Sequence, residues 1–225
     1  MRKFFLLGLA LALVLGGEMA KSDESLFTWP ENEIVERVVN MTSGESFNSN
    51  AVVVDGVSFE TLVPQLVLTV PNSQQETKIN VEFGIRITNN TPTPFRFSSY
   101  RKLTPELVGS DERPIQLTFL RRRRLAPKES DFPLATPGES VTFFPNARLV
   151  WNRSEQLKLS IANGCGGYWS FQVTNPGIYK IRFIYKNENM EQTIHDKEEK
   201  LTNRKLIQGL WTGEVFTPFV KFRLI

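Results

Sequence analysis

Cysteine is almost missing from this chain. Cys165 is the only one in 225 residues, so no intramolecular disulfide can brace the fold and packing alone must hold it. Histidine is equally scarce, with His195 alone. One Cys and one His exclude the usual zinc ligand sets, and no Asp-x-Asp-x-Asp loop offers calcium a site, so no metal or other cofactor is expected. A Ser-His-Asp triad would depend on His195, which sits between Ile194 and Asp196 in a charged stretch and reads as a solvated loop histidine. Long hydrophobic runs are lacking as well. The one apolar run, Phe4 to Gly17, falls short of the about 20 residues that span a bilayer. No Cys follows that run, which excludes the usual lipoprotein anchor.

What the N-terminus does contain is the layout of a secretory signal: Arg2 and Lys3, then the apolar run, then polar sequence from Glu18 onward. Residues 1–20 are read as a signal peptide and the protein as exported to the periplasm, cell envelope or exterior; the alternative is an uncleaved tether. The formal charge of +3 includes Arg2 and Lys3, so the exported chain is near neutral. A nucleic-acid partner is not expected.

Residues 21–50 read as an N-terminal helix and polar linker, and residues 51–225 as one β domain. Thr28-Trp29-Pro30-Glu31 has capping-box spacing, with Ile34, Val35, Val38 and Val39 following at helical intervals. Beyond the linker, Asp55-Gly56 between apolar residues predicts a small hairpin over Val52 to Phe59. Ile79, Val81, Phe83, Ile85 and Ile87 alternate without a break and predict the best central strand. Its other face carries Lys78, Asn80, Glu82, Arg86 and Thr88. Shorter strands follow: Phe95 and Phe97 on one broken by Pro105, then Ile115 to Phe119, Val141 to Phe143, Val150-Trp151, Leu157 to Ile161 and Tyr168 to Val173. Pro, Gly and Asn punctuate them, and no long amphipathic helix intervenes, which argues for an all-β sandwich over a parallel α/β sheet. Asn187 to Gly209 is polar and reads as a long surface loop with one helical turn. Seventeen Phe, against four Tyr and four Trp, supply the core.

A Pro-Gly turn precedes Ile178-Tyr179 at the head of an alternating strand, which resembles the tyrosine corner of immunoglobulin-like sandwiches. Together with Asn89-Asn90-Thr91, Pro94-Phe95 and Pro137-Gly138-Glu139-Ser140, this order resembles the bacterial Ig-like domains of the BsuPI proteinase-inhibitor group over residues 78 to 185. The resemblance implies an antiparallel Ig-like β-sandwich with Greek-key connections. Within it Tyr179 is a structural clamp, Phe83 a core residue and Trp169 a packed strand aromatic. No inhibitory loop can be matched residue by residue.

Two features bear on function. Gly164-Cys165-Gly166-Gly167-Tyr168-Trp169 lacks the spacing of a papain-type signature and reads as a glycine turn into a strand, with Cys165 a small, half-buried side chain. Arg121-Arg122-Arg123-Arg124 is the one local charge anomaly. No arginine can enter a core unpaired at a cost of several kcal/mol, so the run belongs on an edge or loop. It is either a solubilising edge or a surface contact for anionic membrane headgroups or acidic envelope polymer. The expected function is a non-enzymatic binding or structural module of the envelope whose partner is a protein or envelope component. The alternatives are a protease inhibitor and a thiol-dependent enzyme acting through Cys165.

Overall fold

The computed structural model describes residues 37–38, 51–72, 78–120, 125–152, 154–174, 176–195 and 204–225. Their regular structure is strand, apart from a turn of 3-10 helix at Glu129–Asp131. The first strands are β1 (Arg37–Val38), β2 (Val52–Val54), β3 (Val57–Leu62) and β4 (Val67–Leu68). Next come β5 (Lys78–Val81), β6 (Gly84–Asn89), β7 (Phe95–Arg96), β8 (Leu103–Val108), β9 (Leu117–Leu120) and β10 (Leu134–Ala135). Then follow β11 (Ser140–Phe144), β12 (Ala147–Trp151), β13 (Leu157–Ala162) and β14 (Tyr168–Val173). The last are β15 (Gly177–Asn187), β16 (Glu191–His195), β17 (Arg204–Gln208), β18 (Gly213–Phe216) and β19 (Val220–Leu224).

Three larger sheets result. The first has the order β1-β11-β6-β3-β2 and the second β5-β12-β13-β14-β9. The third is centred on β15, which pairs β8 along one edge and β19, then β18, along the other, with β4 beyond β19. Strand pairings among the described residues are antiparallel except that of β4 with β19. The protein is thus all-β, and sheets one and three meet face to face as in a β-sandwich. Phe59 of β3 lies 5.6 Å from Tyr185 of β15 and 5.0 Å from Trp211, while Phe83 lies 5.0 Å from Phe222 of β19. Burying each such ring contributes roughly 2 to 3 kcal/mol. Burial also pushes the Tyr185 phenol well above its ordinary pKa, so it stays neutral in the core.

The uninterrupted alternation from Ile79 to Ile87 spans two strands in two sheets. β6 pairs β11 with Ile85 opposite Phe143, and β5 pairs β12 with Val81 opposite Ala147, in one continuous register. The ribbon bends between them, where Pro145 lacks the N–H of a ladder bond. Gly84 is required at the bend: a Cβ there would sit 2.5 Å from the Phe143 carbonyl oxygen and 2.5 Å from the Phe144 ring. Val81, Phe83, Ile85 and Ile87 are buried all the same, and Glu82 is exposed. The side-chain period carries through the bend.

Three other expectations differ from the structure and a fourth agrees with it. Arg37–Val38, inside the expected N-terminal helix, is a strand paired to β11 at Phe144 and Phe143; the rest of that helix, like the signal peptide, lies outside the described residues. Pro105 does not break a strand, for it sits within β8 opposite Phe183. Its nitrogen faces away from β15, the side on which the Leu103 carbonyl accepts from the Trp169 indole (3.0 Å) and the Leu107 carbonyl from the Ile115 N–H (2.8 Å). No ladder bond is lost. The Asn187 to Gly209 stretch is not a loop with a helical turn. Asn187 ends β15, and β16 and β17 form a hairpin, so His195 stands in a strand. Ile194 and Ile207 hold the hairpin by packing in a second buried cluster with Phe132 and Leu210. The Asp55-Gly56 hairpin is present as β2 and β3, both turn residues having positive φ.

Candidate functional site

The third sheet has one face in the core and one outward. On β15, Tyr179, Ile181, Phe183 and Tyr185 are buried, while Ile178, Lys180, Arg182, Ile184 and Lys186 take the other face. The last strand pair is irregular. Ile184 is opposite Phe216 and Ile181 is opposite Val220, so Arg182 and Phe183 face three residues, Thr217 to Phe219. This β-bulge shifts the alternation by one residue. Phe216 faces outward before it, Lys221 and Arg223 after it, and Phe216 and Phe219 both come beside Arg182.

Polar bonds fix the bulge. The Phe183 N–H donates to Thr217 Oγ1 and the Thr217 N–H to the Phe183 carbonyl, each at 2.9 Å. From sheet one, the Thr61 hydroxyl donates to the Pro218 carbonyl (2.8 Å) and shares a hydrogen bond with the Thr217 hydroxyl. The irregularity therefore also ties the two sheets together.

On the outward face the Arg182 guanidinium lies 5.0 Å from the Phe216 ring centre and 4.4 Å from that of Phe219, while its Nε donates to Glu106 on β8. Lys180 pairs with Glu112, and Lys186 reaches Glu188 (3.3 Å) and Glu214 (3.7 Å). Val67, Ile178 and Phe216 are 55%, 45% and 48% exposed on this face. Cross-strand register sets Ile178 beside Arg223 and Arg223 beside Val67, and sets Lys180 beside Lys221. The face can offer apolar contact, cation–π and ionic recognition. The sequence signal for it is Pro218 among the apolar residues near the C-terminus, since a proline within a strand marks an edge or a bulge.

The residues singled out from sequence lie elsewhere. Phe83 is fully buried at the bend of the β5–β6 ribbon. Tyr179 is buried at the start of β15, its ring stacked 5.8 Å from Phe222. Trp169 on β14 is half-buried, 4.9 Å from the exposed Phe119 ring of β9. Arg121, Arg122, Arg123 and Arg124 lie outside the described residues. Cys165 is buried, more than expected, in the β13–β14 turn. Its N–H and thiol and the Gly167 N–H all donate to Asn163 Oδ1 (3.1, 3.3 and 2.9 Å). Gly164 and Gly166 take positive φ to close that turn around the amide. Among the described residues no three His, Cys, Asp or Glu side chains converge as a metal site, and no helix is long and apolar enough to cross a membrane.

Compared with known proteins, the chain matches no family model, and no curated protein or solved structure is significantly similar to it.

Proposed function

We propose that the chain is an exported, non-enzymatic binding module of the cell envelope with an Ig-like scaffold, and that it binds through the outward face of the β15-centred sheet. Export is supported by the Arg2-Lys3 and Phe4 to Gly17 leader. The observation that carries the binding reading is the exposure on one face of Val67 and Ile178 beside Arg223 and of Phe216 beside Arg182. Apolar surface rimmed by charge is the signature of an interaction site. The bulge supports it too, since bulges recur where a side chain must be re-aimed. In support of the scaffold, the strands of sheets one and three from β3 to β15, taken in chain order with the strands of the other sheets left out, cross between the two sheets at each step: β3, β4, β6, β8, β11, β15.

Two measurements test this. A pull-down from the native envelope fraction should recover a partner with the wild-type protein and lose it with the Ile178→Glu/Phe216→Glu double variant, whose melting midpoint should stay near wild type. Equal recovery by both, or none by either, removes the binding reading. For the scaffold, Tyr179→Phe should cost about 1 to 3 kcal/mol in a denaturant melt, the loss of a buried hydroxyl bond in a tyrosine corner. An unchanged midpoint removes the corner.

A further inference from the structure

We infer that the β4–β19–β15 part of this face docks an acidic stretch of polypeptide; this rests on the binding reading above and specifies the partner's chemistry. Two adjacent rows make the argument. In one, Val67, Arg223 and Ile178 lie side by side across three strands; in the next, Lys221 lies beside Lys180. Like charges directly opposite on a sheet are destabilising unless carboxylates neutralise them. Lys180 has its carboxylate in Glu112. Lys221 and Arg223 are exposed, and among the described residues no acidic side chain reaches either of them. On the same sheet Arg182 and Lys186 are paired with Glu106, Glu188 and Glu214. The positive charge left over is therefore local to β19, and apolar side chains flank Arg223 on both sides.

A ligand that complements these rows must alternate carboxylates with apolar groups at the spacing of neighbouring strands and side chains, about 5 to 7 Å. A polypeptide does so. An anionic bilayer contact would need apolar groups reaching about 5 to 10 Å into the acyl boundary, whereas Val67 and Ile178 are short side chains on a pleated face.

The test is an NMR titration of the isotope-labelled chain with three probes: an acidic dodecapeptide of alternating glutamate and leucine, its lysine counterpart, and phosphatidylglycerol vesicles. The acidic peptide should perturb Val67, Ile178, Lys180, Lys221 and Arg223, and bind more weakly at high salt. The Lys221→Glu/Arg223→Glu variant should melt like wild type and bind it about tenfold more weakly, the effect of two surface ion pairs at about 0.7 kcal/mol each. Equal affinity in the variant, equal binding of the lysine peptide, no binding of the acidic peptide, binding to vesicles alone, or self-association without peptide would each overturn the inference. If this variant also retains the partner that Ile178→Glu/Phe216→Glu loses, the binding face stands and only its acidic partner falls.

Discussion

Phe83→Ala should destabilise the protein by about 3 to 5 kcal/mol, while Glu82→Ala one residue away should be nearly silent. The Phe83 ring is fully buried where the β5–β6 ribbon bends from the second sheet to the first, and it packs 5.0 Å from Phe222 in the third. Its removal leaves a cavity that Gly84 cannot help to fill, because that backbone is already pressed against Phe143 and Phe144. Glu82 is exposed. Urea melts of the two variants decide the matter, and similar midpoint shifts would mean that the bend does not hold Phe83 inward.

Asn89→Ala should cost about 2 to 4 kcal/mol, far more than an ordinary turn residue, because more than one buried group loses its partner. Asn89 is fully buried at the end of β6. Its Nδ2 donates to the Thr93 (2.8 Å) and Ala135 (2.9 Å) carbonyls, and its Oδ1 accepts from the Thr91 N–H (3.1 Å) and hydroxyl (2.7 Å). One amide thus closes the turn after β6 and fastens it to β10. Asn89→Asp, an acceptor where two donors are needed, should recover none of the loss at neutral pH. Thermal melts of both variants test this, and a midpoint for Asn89→Asp near wild type would show that the Nδ2 bonds contribute little.

The part of this protein legible in its sequence is the part governed by period and by local backbone chemistry. Val81, Phe83, Ile85 and Ile87 face inward as their alternation says, because a two-residue period follows from the pleat whatever sheet the strand joins. Asp55-Gly56 makes its hairpin because both residues tolerate positive φ. The hairpin of β16 and β17 stayed hidden for the opposite reason. Ile194 and Ile207 supply too little apolar periodicity between them, and their partners Phe132 and Leu210 come from other segments of the chain.

Pro105 marks the same boundary between local and global information. Alone it reads as a strand breaker, and only the knowledge of which edge of β8 meets β15 shows that its missing N–H costs nothing. The outward face of the third sheet is further still from the sequence. Val67, Ile178 and Arg223 are adjacent because β19 pairs both with β15, which precedes the β16–β17 hairpin and β18, and with β4, which lies near the other end of the described chain, and Phe216 and Phe219 flank Arg182 because a bulge turns the last strand over by one residue. Side-chain period and turn chemistry act within a few residues and are written in the sequence, whereas strand pairing and register depend on which distant apolar faces bury one another, so the tertiary structure alone decided where the candidate binding surface lies.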